Sequence, residues 1–402
     1  MTALRDEIVV DRTGVPRQAG SSHPDGVWLT AFRQQAEQSL YFFLTAVLGY
    51  TFLTPQLHRP LCDFIQDPAY MRKLVIAFRG CGKSLIISQG TPLHAFVQPR
   101  EANVYWPGLL GVDTRLLLAC ETIGRGKDHL SIIRATLEHN QRLRSLWPHV
   151  AWVHTERDAK TWNNEEFVLP RTHYRAEPSL RCVGVNAATA GMHPDGKIED
   201  DPIAEAAANS PVIMETAKAW HRASRSLINH PGSREWTLGT FWAVEDLYQT
   251  EHMQDPSVEM RQKALIEEGE IQWPERYVFT DSEAREWNGA QREAILAGTA
   301  HEKVSIEQLQ REAGTYFPLF YLNDPTNAAL TDFQPQDLRH YTVTGTAIDF
   351  PDDPRDALLA AQAAVVIPSG PASVPGRPLQ WTGRDAEERM QFRREHVQWR
   401  RA

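Results

Sequence analysis

A glycine-rich stretch that ends in lysine and serine is the part of the sequence best suited to chemistry. It lies within residues 75–86, which read VIAFRGCGKSLI. The loop would contain five consecutive residues: Gly80, Cys81, Gly82, Lys83 and Ser84. In a phosphate-binding loop, backbone N–H groups surround phosphate oxygens, the lysine neutralises charge, and the serine hydroxyl binds Mg²⁺. Ala77 stands where the usual pattern begins with glycine, so this stretch alone leaves a purely structural turn as the alternative.

The sequence on either side of this loop favours a nucleotide site. Residues 73–78 form a short apolar run of the type found in buried parallel strands. Residues 84–97 carry apolar side chains at approximately helical spacing. Strand, glycine turn and helix therefore occur in the order that a phosphate site requires, because the turn and the helix start supply the N–H donors.

A magnesium-dependent nucleotide site also needs carboxylates, and the adjacent pair Asp200 and Asp201 could supply them. The proline that follows them favours the end of a strand. Asp200 would hold the hydrated metal ion and Asp201 would orient or deprotonate the attacking water, with Glu205 as the second candidate for that role. Only Ile198 is apolar among the four residues before Asp200, so a surface acidic turn remains open at this point.

The order of the remaining elements predicts an α/β fold with a mainly parallel sheet flanked by helices. The helical spacing of leucine and isoleucine predicts a helix over residues 127–147. Further strands are predicted at residues 114–122, 165–171, 180–185 and 234–240. The expected division of the chain is a flexible arm at 1–25, a P-loop ATPase domain at 26–255, a helical linker at 256–335 and a final segment at 336–402.

The composition is that of a soluble globular protein. Of 402 residues, 42% are hydrophobic and 23% are charged, and the net charge of −9 excludes nucleic-acid binding driven by charge over the whole surface. The apolar run at residues 40–53 is too short to span a bilayer. The four cysteines are far apart and lack the close pairs of zinc sites. We therefore expect a protein of the reducing cytoplasm with no membrane partner.

Four segments, taken in order, resemble the large terminase subunit of tailed bacteriophages, the motor that packages DNA into capsids. They read AFRGCGKS, ATAGMHPDGKIEDDP, WTLGTFWAVEDLY and FYLNDPTN, and the similarity runs from about residue 30 to about residue 357. In that family the phosphate loop typically replaces the first glycine by a small residue and carries an arginine, as at Ala77 and Arg79. The resemblance implies a working site for ATP and Mg²⁺, with Arg79 near the γ-phosphate, where its charge helps most in the transition state.

The resemblance also implies roles for individual residues. Asp200 corresponds to the magnesium-binding acid, and Asp201 to the position of the catalytic acid, which is often glutamate in the family. Gly239 and Thr240 resemble the pair that couples hydrolysis to movement. Gln56 lies in a segment similar to the one that contacts adenine.

Large terminases usually carry a C-terminal nuclease with an RNase H-like sheet, in which several carboxylates bind two divalent metals. The segment TGTAIDFPDDPRDA resembles the first strand of that nuclease, with Asp349 as its first metal ligand. Asp353 and Asp356 lie close by in a predicted loop. We expect this RNase H-like segment to be incomplete within residues 336–402, so that a second metal site would require the domain to be completed.

The function implied by the resemblance is ATP-driven translocation of double-stranded DNA into a procapsid. The implied partners are DNA, the portal protein, the small terminase subunit and further copies of the chain in a ring, all within the host cytoplasm. Two alternatives remain open from the residues: a different P-loop enzyme, such as a helicase or nucleotide kinase, and an inactive prophage remnant that only binds partners.

Overall fold

We describe a computed structural model of the chain for residues 8–10, 16–18, 25–101, 103–228 and 231–325. Most of the expected N-terminal arm lies outside these described residues. The whole segment 336–402 also lies outside them, and it includes Asp349, Asp353 and Asp356. The predictions for a nuclease therefore remain predictions.

The strands are numbered here in chain order within the described residues. They are β1 (Ile8–Val10), β2 (Pro16–Gln18), β3 (Arg72–Ala77), β4 (Leu116–Cys120), β5 (Glu166–Phe167), β6 (Leu180–Gly184), β7 (Gly196–Asp200), β8 (Arg234–Gly239), β9 (Val258–Lys263), β10 (Ile266–Glu267), β11 (Glu270–Ile271), β12 (Tyr277–Val278) and β13 (Val304–Ser305).

The helices are numbered in the same way. They are α1 (Asp25–Gln38), α2 (Leu40–Phe42), α3 (His58–Gln66), α4 (Thr91–Val97), α5 (Ile123–His139), α6 (Gln141–Leu146), α7 (Thr155–Asp158), α8 (Glu205–Ala208), α9 (Pro211–Arg225), α10 (Asp281–Ala290), α11 (Arg292–Leu296) and α12 (Ile306–Ala313). Wider π-helical turns occur at Phe43–Val47, Leu85–Gly90, Tyr248–His252 and Pro318–Leu322, and 3₁₀ turns at Gly111–Asp113 and Gly314–Tyr316. Among the described helices, none is long and apolar enough to cross a membrane.

A seven-stranded sheet with the order β5–β6–β4–β7–β8–β3–β9 forms the centre of the fold. All neighbouring strands are parallel except β5, which pairs with β6 in the antiparallel direction. Residues 74–77 of β3 and the whole of β4 are buried apolar runs, as expected for a parallel sheet covered on both faces. The predicted α/β fold with a mainly parallel sheet flanked by helices is confirmed for the described residues.

Strand β7 is fully buried although three of its five residues carry charge. The Lys197 ammonium lies 2.6 Å from Glu199 Oε1 and 2.8 Å from Glu235 Oε1, and His221 Nδ1 lies 2.9 Å from Glu199 Oε2. Glu199, His221 and His252 offer ligand atoms within 4.8 Å of one another, but the Lys197 ammonium already supplies a cation to that carboxylate. Compensated charge thus replaces the apolar run that usually marks such a strand.

The sheet continues beyond residue 255, the expected end of the ATPase domain. Strand β9 pairs in parallel with β3, and β10 to β13 form two further two-stranded sheets. The described part of the expected helical linker over residues 256–335 therefore contains strands as well as the helices α10, α11 and α12. The division of the chain into domains stays a prediction. Strand β9, VEMRQK, lies at the sheet edge with its side chains partly exposed, so no apolar run reveals it in the sequence.

Candidate nucleotide site

The candidate phosphate loop connects the end of β3 to a helical turn that begins at Lys83. Gly80 and Gly82 have φ angles of 81° and 83°, in the left-handed region that glycine adopts without strain. Ala77, in contrast, is the last residue of β3 and has ordinary strand geometry. The two glycines are therefore required by the turn, whereas the position that departs from the usual pattern belongs to the strand.

His58 supports this loop from the segment in which an adenine contact is predicted. Its Nδ1 accepts from the Thr54 N–H at 2.8 Å, so Nε2 carries the proton and donates to the Cys81 carbonyl oxygen at 3.1 Å. Burial lowers the pKa of His58 to about 4, and burial raises the pKa of the Cys81 thiol. Gln56 is exposed two residues before His58, and its contact with adenine stays a prediction.

Ser84 and Asp200, which are far apart in the sequence, lie in contact. Ser84 Oγ donates to Asp200 Oδ1 at 3.0 Å, and Ser88 Oγ donates to Asp200 Oδ2 at 2.6 Å. His129 Nε2 lies 3.0 Å from the same Oδ2. Burial alone would raise the pKa of Asp200, but the hydrogen bonds from His129 and Ser88 and the charge of Lys83 hold it below its ordinary value. This carboxylate is therefore a fixed anion at the end of β7.

Asp201 has a different environment from its neighbour. It adopts a left-handed backbone conformation with φ of 43°, and its Oδ1 is buried with no hydrogen-bond partner in the described part of the chain. Burial raises the pKa of Asp201, while the charge of Lys83 opposes the shift. Arg125 Nη1 lies 4.0 Å from Oδ2. Glu205, the second candidate acid, is exposed at the start of α8.

Arg79 extends from the loop into a group of aromatic rings. Its guanidinium carbon lies 3.4 Å from the ring centroid of Phe320 and 5.0 Å from that of Trp242. Its backbone N–H donates to the Phe320 carbonyl oxygen at 2.8 Å. The charges of Asp201 and Glu205 act on this guanidinium. Arg79 thus contacts the aromatic rings and lies within electrostatic range of the candidate acids.

Gly239 ends β8 beside the phosphate loop, in register with Ile76 of β3. A Cβ atom at position 239 would lie 2.1 Å from Tyr248 Oη, so packing alone requires glycine there. Thr240 follows and is buried. The structure thus supplies a steric reason for the glycine, and the coupling role of the pair stays a prediction.

The sequence analysis did not identify four residues that lie at the site: His58, Ser88, Arg125 and His129. Ser88 follows Ser84 by four residues, and this helical spacing places both hydroxyls on one face, so it could have been found. His129 lies on α5, a separate helix that reaches Asp200 only through the tertiary fold. No local pattern could have identified it.

No family model matches the sequence, and no curated protein does. Among solved structures, the large terminase ATPase domain of Thermus phage P74-26 has 15% identity and a TM-score of 0.35, over 70% of this chain and 96% of that one. The large terminase of the thermophilic bacteriophage D6E in complex with ADP has 9% identity and a TM-score of 0.34, over 64% of this chain and 49% of that one. This chain therefore matches about half of the D6E protein.

Proposed function

We propose that this chain is an ATP-hydrolysing motor of the terminase type, which moves double-stranded DNA into a procapsid. The observation that carries the proposal is the contact of Ser84 Oγ with Asp200 Oδ1 at the end of a phosphate-type loop. Strands β3 and β7 run parallel in one sheet with β8 between them, so the carboxyl ends of both strands lie at the same edge of the sheet. The sequence resemblance supplies the motor role.

The loop would bind the phosphates, and Lys83 would neutralise their charge. Mg²⁺ fits the residues present, because Ser84 and Asp200 offer hydroxyl and carboxylate oxygens 3.0 Å apart, the hard ligands that this ion prefers. When bound, Mg²⁺ would neutralise charge on the phosphate oxygens. Ser88 and His129 would keep the Asp200 carboxylate in place through its other oxygen.

Asp201 is the better candidate for the acid that orients water and takes its proton. Its buried Oδ1, which has no hydrogen-bond partner among the described residues, lies in a carboxylate on which the charge of Lys83 acts. A raised pKa suits a group that must accept a proton. Glu205 is exposed, and its Oε1 lies 3.5 Å from Tyr316 Oη. This difference in environment favours Asp201 even though its side chain is one methylene shorter.

A groove of about 430 Å³ beside β5 and β6 supports DNA as a partner. Lys160 and Arg175 line it together with Tyr174, which is 87% exposed. Cationic side chains next to an exposed ring suit phosphates and sugars of a nucleic-acid backbone. The portal protein, the small terminase subunit, a homo-oligomeric ring and the host cytoplasm belong to the same proposal and rest on the sequence resemblance.

The test is ATP hydrolysis by the purified full chain, with and without double-stranded DNA. Lys83→Ala should abolish hydrolysis and most triphosphate affinity, because it removes the main positive charge offered to the β- and γ-phosphates. Lys127→Ala, which changes an exposed lysine paired with Glu165, is the matched control and should hydrolyse at the parent rate. Hydrolysis at the parent rate by Lys83→Ala would overturn the site. Strand separation by the chain would point to a helicase instead.

A further inference from the structure

The rings around Arg79 form one continuous group, which we call the aromatic cluster: Trp242, Tyr316 and Phe320. Phe320 and Trp242 pack edge to face with centroids 5.1 Å apart and planes at 75°. Tyr316 stacks on Phe320 with centroids 5.3 Å apart and planes at 7°. The guanidinium of Arg79 lies against Phe320, the ring that both others contact. The Arg79 cation thus lies near two rings from two separate segments, Trp242 and Phe320. Tyr316 joins the cluster by stacking on Phe320.

We propose that the aromatic cluster positions the Arg79 guanidinium for the terminal phosphate of the nucleotide, an inference that rests on the proposed function. Stacking fixes the plane of a guanidinium through its face. The N–H donors lie in that plane and point from its edge, so they remain free for phosphate oxygens. A long side chain fixed in this way loses less rotamer freedom when it meets the phosphate. Stacking and phosphate binding are therefore compatible.

Hydrogen bonds fix the cluster to the elements around it. The Arg79 N–H donates to the Phe320 carbonyl oxygen at 2.8 Å, which joins the loop backbone to the segment Pro318–Leu322. The backbone N–H of Trp242 donates to Oδ2 of the buried Asp246 at 3.1 Å. Because hydrogen bonds hold the aromatic cluster at both Phe320 and Trp242, the cluster can keep a cation in a defined place.

The position of Trp242 links the cluster to the end of β8. Trp242 follows Gly239 by three residues, and Gly239 is in register with Ile76 of the loop strand. A displacement of this strand end would move one wall of the cluster and, with it, the Arg79 guanidinium. The cluster therefore connects the predicted coupling pair to the phosphate loop through named contacts.

The alternative is that Phe320 is only a buried ring that stabilises the turn, and substitutions separate the two cases. Phe320→Leu should lower kcat for ATP about tenfold, the order expected for loss of one partly buried cation–π contact, and should change KM by less than about twofold. Phe320→Tyr keeps the ring face and should retain the parent kcat. Phe317→Leu is the matched control, because Phe317 directly precedes this segment and is also buried, but stacks on Tyr321.

A double-variant cycle completes the experiment. Arg79→Ala should lower kcat, and adding Phe320→Leu to it should cause no further loss, since the ring acts through the arginine. Trp242→Leu provides a second removal of a ring if Phe320→Leu does not fold. An equal further loss in the double variant, or an equal loss in Phe317→Leu, would overturn the inference. If the parent protein hydrolyses no ATP, the proposed function fails. If the parent hydrolyses ATP but the variants give either of these results, only the inference about the aromatic cluster fails.

Discussion

At the scale of single residues, two adjacent aspartates are prepared for different tasks. Asp200 receives hydrogen bonds from Ser84 and Ser88, and its pKa lies below the ordinary value despite burial. Among the described residues, Oδ1 of Asp201 has no hydrogen-bond partner, and burial raises the pKa of this carboxyl group. Environments that separate the pKa values of two carboxylates commonly separate an electrostatic role from a proton-transfer role.

Asp201→Asn is therefore expected to keep nucleotide affinity while kcat falls by about 10²- to 10⁴-fold, the usual contribution of a general base. Glu205→Gln is the matched control and should remain close to the parent rate. Steady-state kinetics together with equilibrium nucleotide binding measure both quantities. If Glu205→Gln is slow and Asp201→Asn is normal, the two acids have been assigned in the wrong order.

Asp200→Asn should act differently, because it replaces one carboxylate oxygen by an NH₂ group and removes the negative charge offered to Mg²⁺. We expect the Mg²⁺ concentration for half-maximal hydrolysis to rise, in addition to a lower rate. A magnesium titration of the parent, Asp200→Asn and Asp201→Asn distinguishes the two acids. An unchanged magnesium requirement in Asp200→Asn would contradict its placement as a ligand.

At the scale of elements, strand β7 shows why a hydrophobicity pattern can miss a strand that is buried in the fold. The strand carrying the phosphate loop is an apolar run and is found at once, as is β4. The charges of Lys197 and Glu199 hide β7, because only the tertiary fold brings Glu235 and His221 to compensate them. The same limit applies to His129, which reaches Asp200 from another helix. Sequence patterns indicate the chemistry of neighbouring residues, but they do not show which distant residues become charge or hydrogen-bond partners in the fold.

Lys197→Met tests whether this network carries stability. Removing the ammonium leaves Glu199 and Glu235 buried without their cation, so we expect the free energy of unfolding to fall by about 3–5 kcal/mol. Lys127→Met, the same change at an exposed lysine, should alter stability little. Denaturant unfolding of both variants measures the difference. Equal stability losses would mean that Lys197 is no more important than a surface charge.

At the scale of the whole molecule, a second buried lysine makes stability depend on pH. Lys73 lies in β3 at 1% exposure, and its Nζ donates to the carbonyl oxygens of Ile65 at 2.9 Å and Asp67 at 2.5 Å. Burial, with a smaller contribution from the charge of Arg234, lowers the pKa of Lys73 to about 7. Between this value and the ordinary value of 10.5, the unfolded chain holds a proton that the folded chain releases.

The free energy of unfolding should therefore rise with pH across this window, because the unfolded state binds more protons there. Relative to Lys73→Met, which cannot titrate, the parent should gain about 2–3 kcal/mol between pH 6.5 and pH 9. Denaturant unfolding of both proteins at the two pH values measures this gain, and taking the difference removes the titration of all other groups. Lys127→Met should follow the parent at both values. Parallel behaviour of the parent and Lys73→Met would mean that the Lys73 ammonium keeps its ordinary pKa in the folded chain, and that the start of β3 admits water.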